Sequence, residues 1–178
     1  MMLADYFLTV YLAGLREKKY ALHFRMRHYE LNPVWQKAIA QKKWFNARHL
    51  VLTGIVFAFI VFISEFSTLP PAAVRGVIGA ILATFVVVLA RHVQNLCVFR
   101  HLMRNPDEVS GEVVLSHRFV LYLSLTQMLG LLAVMAFVTI FSRDESVLYA
   151  FLGILGLVIA HWRWLHKAGK QTTADAGE

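Results

Sequence analysis

Eight histidines stand in this chain, His23, His28, His49, His92, His101, His117, His161 and His166, and four of them fall at the ends of long apolar runs. Neutral imidazole ligates haem iron and divalent metals, and helix bundles build such centres from side chains at one depth on facing helices. His49, His92, His117 and His161 meet the requirement of depth, so a haem or divalent-metal site at one face of a membrane is one reading. Paired i, i+4 ligands and a CxxCH motif are absent, and the sequence places no carboxylate at that depth to complete a first or second shell. The competing reading makes these histidines amphipathic interface residues, packed with Arg, Trp and Tyr beside lipid headgroups. It is the one carried forward, so no cofactor is expected.

A second polar group, Tyr122, Ser124, Thr126 and Gln127, lies inside an otherwise apolar run. Such a strip lines a pore or bonds one helix to another. In hydrocarbon a glutamine bonded across an interface contributes roughly 0.6 to 2 kcal/mol, and this interhelical role, within a bundle or an oligomer, is the preferred one. Proton relays and coupled transporters use ionisable groups near mid-membrane. The apolar runs offer none centrally, and Glu65 stands at the end of the first. Asp107, Glu108 and Glu112 cluster in one loop with His101 and Arg104 nearby, a pattern fitting a phosphate or cation site but expected as a solvated turn. No GxSxG, HExxH, P-loop or dinucleotide fingerprint occurs, so nothing supports an enzyme. Handling of a lipid phosphate by the Arg/His pairs would need an acid or nucleophile that is not visible.

The elements that position these residues follow from hydropathy. At 178 residues and 58% hydrophobic, with a mean hydropathy of +0.55, the chain holds more apolar surface than a soluble domain of its size can hide. Several runs are apolar on every face for about five turns, which calls for lipid around them. Four spans result, at about 49–66, 76–99, 119–141 and 147–164. Pro70-Pro71 stops the first, Asn105-Pro106-Asp107 and Gly111 separate the second from the third, and the fourth ends in the aromatic and basic HWRWLHK. Glycines at Gly76 and Gly79, and at Gly153 and Gly156, allow helices to approach closely. Cys97 is the single cysteine, which excludes an intrachain disulfide and any multi-cysteine metal site. The run from Met1 to Leu15 has no basic residue before it and contains Asp5, so a cleaved signal peptide is not expected.

A net charge of +7 and a pI near 9.8 would point to nucleic acid in a soluble protein. In a membrane protein the same excess follows from topology and anionic lipid, and no nucleic-acid partner is expected. Lys and Arg are unevenly split across the spans. One side carries sixteen, nine through Arg48, four at Arg91, Arg100, Arg104 and Arg118, and three at Arg163, Lys167 and Lys170, while the other has Arg75 and Arg143. The positive-inside rule then puts both termini in the cytoplasm, with two tight hairpins turning outside. Arg48, Arg91, Arg118, Arg163, Lys42 and Lys43 are the expected contacts for anionic lipid. Each hairpin opens and closes on an Arg/His cluster, as a duplication would give, but any helix entering a membrane needs such flanks.

Residues 1–47 are helical in pattern yet too interrupted to span. Residues 1–15 reach about 22 Å as a helix, short of the roughly 30 Å of hydrocarbon. Leu8, Leu12, Leu15, Leu22, Met26 and Tyr29 form an apolar stripe, broken at Lys19, that something must cover. Asn32-Pro33 reads as the cap and first residue of a second helix over 34–45, with Val34, Trp35, Ala38, Ile39 and Phe45 on one face and snorkelling lysines beside it. The tail at 169–178 is small and polar and is expected to be disordered. The sequence thus describes an all-α integral membrane protein, a four-transmembrane-helix bundle with N-terminal amphipathic interfacial helices. Its expected role is that of a non-enzymatic subunit of a homo-oligomer, channel or scaffold.

Overall fold

The computed structural model describes residues 1–18, 20–26, 30–142 and 144–175. Four helices are long and apolar enough to cross a membrane: α4 (Ala47–Glu65), α5 (Pro71–Arg104), α6 (His117–Ser142) and α7 (Glu145–Asp175), the last over its stretch to Ala168. Only 11 to 17% of each apolar window is buried inside the chain. So much outward apolar surface is stable in hydrocarbon and not in water, which makes this a multi-pass membrane protein. We number the shorter elements α1 (Met2–Lys18), α2 (Tyr20–His23), β1 (Phe24–Met26), α3 (Gln36–Ala40) and β2 (Val113–Leu115).

Local chemistry sets the helix ends. The Asn46 side chain accepts a hydrogen bond from the His49 amide at 3.3 Å and caps α4. Pro71 opens α5 at a position where its missing N–H costs nothing. Ser116 Oγ accepts from the Phe119 amide at 3.2 Å before α6, and Asp144 Oδ1 accepts from Ser146 at 2.7 Å before α7. With 34 residues, α5 is about 51 Å long against about 30 Å of hydrocarbon, so roughly its last 20 Å overhang the span. It starts five residues before the Gly76 expected from hydropathy, because Pro70-Pro71 ends one helix and begins the next.

The four spans do not close into a ring. α7 packs along both α5 and α6, whereas α4 only brushes α5. The shared core is Val87, Leu125, Met128, Ile154 and Val158. Two glycines make this packing possible. The Tyr149 ring lies where a Cβ on Gly76 would stand, and the Ala80 carbonyl oxygen lies where one on Gly153 would. Gly79 and Gly156 face open space, so half of the small-residue set lets helices approach and half does not.

The N-terminal region folds onto the overhang of α5. Leu12 and Leu15 are buried against Phe99, with Tyr20, Leu96 and Met103 around them. On the neighbouring face Tyr6, Val10 and Ala13 enclose Ile39, against which Trp35 packs. The expected stripe is covered only in part, because Leu22 is 65% exposed; Tyr29 lies outside the described residues. Thr9 and Arg16 take places on the buried face that the stripe did not assign them.

Three expectations need correction here. The region is not purely helical: β1 pairs in parallel with β2, Phe24 opposite Val113 and Met26 opposite Leu115, and ties the N-terminal region to the loop between α5 and α6. The helix expected over 34–45 shrinks to the five residues of α3. Asn32 Oδ1 accepts from the Val34 amide in a side-chain turn, Lys42 takes a left-handed conformation at φ 50°, and Phe45 is 72% exposed. α7 continues as helix to Asp175, into the segment expected to be disordered, while 176–178 lie outside the described residues. Lys19, Arg27 and Arg143, which enter the charge count, lie outside them as well, as does His28.

Candidate functional site

Three of the four histidines at the span ends, His49, His92 and His161, take separate partners. His49, on the first turn of α4, stacks on Tyr6 with ring centroids 4.5 Å apart, meets Trp35 edge-on at 5.3 Å, and places Nε2 3.3 Å from the Met2 carbonyl. His161, buried on α7, donates from Nδ1 to the Leu157 carbonyl one turn back at 2.9 Å and packs on Trp164. His117 opens α6. Among the described residues no group of three or more His, Cys, Asp or Glu side chains is placed to hold a metal ion.

His92 is paired with a carboxylate. Its Nε2 lies 2.7 Å from Asp5 Oδ1 and 3.0 Å from Thr9 Oγ1, both on α1. Thr9 in turn donates to the Asp5 carbonyl at 2.8 Å. This corrects the view that no carboxylate reaches that depth: Asp5 does, delivered by a helix that sequence order places 87 residues away. Glu30 lies half-buried in the loop before α3. Its Oε1 accepts from the Asn32 amide at 2.7 Å. Burial pushes its carboxyl up to about 7, and the Asp5 charge adds to that rise, while the Asn32 hydrogen bond, His92 and Arg91 pull against it. Sequence reasoning missed Asp5, Thr9 and Glu30. Asp5 was the visible signal, an acid inside an apolar run.

Tyr6 links this group to the start of α4. Its hydroxyl donates to the Lys43 carbonyl at 2.6 Å while its ring covers His49. Next to it the chain presents Trp44 and Phe45, 57% and 72% exposed, immediately before the cap of α4. Of the expected lipid-facing cations, Arg48 lies over the Trp35 ring at 5.8 Å, Lys42 pairs with Glu17, Arg91 acts on Glu30 and His161, and Lys43, Arg118 and Arg163 are exposed. Two of the acids of the loop between α5 and α6 are drawn into exposed pairs, Glu108 with His101 at 2.6 Å and Glu112 with Arg25 at 3.1 Å.

The polar strip of α6 is divided. Ser124 is buried with Leu121, Leu125 and Met128 on the inner face of the helix. Tyr122, Thr126 and Gln127 point outward. Thr126 returns its hydroxyl to the Leu123 carbonyl at 2.9 Å, and Gln127 meets no hydrogen-bond partner among the described residues. On the opposite flank an apolar crevice of about 500 Å³ runs between α4, α5 and α7, past Phe59, Phe85 and Gly156. Comparison with protein-family models, with curated proteins and with solved structures gives no match.

Proposed function

We propose that the protein is a non-enzymatic subunit of a homo-oligomeric membrane assembly, a scaffold or channel whose protomers meet along the outer face of α6. Gln127 carries this reading. A primary amide in a spanning helix has two donors and an acceptor to satisfy in a medium without water, and its own chain leaves them outward. Tyr122, likewise exposed on α6, offers a hydroxyl to a neighbouring chain. A second support is the loose seating of α4, whose apolar surface is almost wholly outward.

Both termini lie in the cytoplasm in this reading, as the sixteen-to-two split of Lys and Arg requires. Lys43, Arg118 and Arg163 then face anionic headgroups, with Trp44, Phe45 and Trp162 at the depth of an aromatic belt. Where the assembly encloses a path, α6 lines it between protomers and the basic inner mouth selects anions or anionic lipid.

The reading is tested by crosslinking in native membranes. In a Cys97→Ser background, Gln127→Cys is expected to give crosslinked dimers on mild oxidation, and Ser124→Cys, turned toward α7, to give none. Equal crosslinking of both, or of neither, contradicts an interface along this face.

A further inference from the structure

The crevice of about 500 Å³ between α4 and the paired α5 and α7 lies within the apolar stretch of the spans. Ile55 and Phe59 line it and are still 58% and 47% exposed, so it opens sideways to hydrocarbon. Thr84 on its wall donates to the Ala80 carbonyl at 2.9 Å, and the lining asks its occupant for no hydrogen bond. The two glycines of α7 differ here. A Cβ on Gly153 would meet the Ala80 carbonyl, whereas one on Gly156 would stand in open space. Gly153 thus seats α7 on α5, and Gly156 leaves room in the crevice. An empty gap would cost its walls their dispersion contacts, so at this depth a lipid chain fills it.

One end of the crevice selects the kind of lipid. Arg48, Arg91 and Arg163 each stand seven residues from a lining residue, Ile55, Thr84 and Gly156 respectively. Seven residues return a helix to within about 20° of the same face, about 10 Å along its axis. All three displacements run toward one end of the spans. Gly76 meets Tyr149 and Ala80 meets Gly153, so α5 and α7 run parallel in a register that sets Arg91 level with Trp164, beside Arg163. α1 reaches His49 through Tyr6 and His92 through Asp5, which brings the Arg48 end of α4 to the Arg91 end of α5. Of the acids there, Asp5 pairs with His92 and Glu30 accepts from the Asn32 amide. A second copy inserted the same way round would bring its own arginines against these three. An anionic lipid brings the opposite charge.

We propose that the crevice binds an anionic phospholipid, with one acyl chain along Phe59, Phe85 and Gly156 and the phosphate among Arg48, Arg91 and Arg163. Guanidinium groups match phosphate oxygens in charge and in their forked geometry. The lipid bridges α4 to α5 and α7, which the chain's own packing joins only loosely. From the proposed function this takes only that the arginine-bearing ends face headgroups, and it needs no association along α6.

Native mass spectrometry of the delipidated full chain in detergent, titrated with phosphatidylglycerol or with phosphatidylcholine of the same acyl chains, tests the site. One phosphatidylglycerol per chain is expected to bind about tenfold or more tightly than phosphatidylcholine. Arg163→Gln is expected to weaken phosphatidylglycerol about fivefold and to leave phosphatidylcholine unchanged. Gly156→Leu sets a side chain into the crevice and is expected to abolish the tight adduct. Gly79→Leu, which enters open space outside the crevice lining, is expected to keep it. Equal affinity for the two lipids, a graded series of adducts with no single tight one, or full binding in Gly156→Leu overturns the proposal. A monomer holding one phosphatidylglycerol upholds it and contradicts only association along α6. The two lipids compared on the unmodified protein decide by themselves should a variant not fold.

Discussion

Asp5 Oδ1 lies 2.7 Å from His92 Nε2, and this contact registers the first helix of the chain against the overhang of α5. Leu12 and Leu15 would pack on an apolar helix face in more than one rotation, since apolar contact is not directional. A short ionic hydrogen bond is directional, and here it is braced by Thr9 on the same imidazole nitrogen. The N-terminal region therefore sits in one place, with Tyr6 over His49 and β1 beside β2.

Removing the carboxylate should loosen that seating. Asp5→Ala is expected to destabilise docking by about 1 to 3 kcal/mol, the cost of leaving a part-buried imidazole without its charged partner. Limited proteolysis within residues 1–47, in detergent or nanodiscs, reports it as faster cleavage there. The α6–α7 region should resist as before.

The glycines separate into two kinds with opposite outcomes. Gly153→Val sets a side chain against the Ala80 carbonyl and is expected to cost about 1 to 3 kcal/mol of stability through overpacking. Gly79→Ala and Gly156→Ala point into open space and should stay within about 0.5 kcal/mol of the parent. Thermal or SDS unfolding in mixed micelles checks both.

Orientation is checked by cysteine labelling from either side of sealed vesicles. In the Cys97→Ser background Ser110→Cys, in the loop between α5 and α6, is expected to react only from the cytoplasmic side, and Thr68→Cys, between α4 and α5, only from the other. Labelling of both from one side contradicts the hairpin topology.

The four spans were legible because about twenty consecutive apolar residues have one stable home, and the chain announces each with proline, asparagine or a basic cluster. What the runs do not encode is how the helices meet. Whether α7 seats between α5 and α6 depends on Gly76 taking the Tyr149 ring and Gly153 taking the Ala80 carbonyl, pairings between residues some seventy positions apart. The N-terminal region was less legible for the same reason. Asp5 in an apolar helix looks like a blemish until His92 stands opposite it. The β1–β2 pair joins three-residue strands too short for a periodic pattern. The helix over 34–45 failed on a local competitor, the Asn32 side-chain turn, together with the left-handed Lys42. In the α6 strip sequence spacing supplied the residues, but only the packing of α7 separates inward Ser124 from outward Gln127.

Association through α6 is the premise on which the proposed function stands. Native mass spectrometry of the protein released from lipid is its sharpest test, because it weighs protomers, retained lipid and any retained cofactor together. A homo-oligomer of the 20.3 kDa chain is expected, weakened in Gln127→Leu by about 1 kcal/mol for each interhelical amide hydrogen bond that the substitution removes. A monomer in the unmodified protein, or an oligomer indifferent to Gln127→Leu, would contradict it.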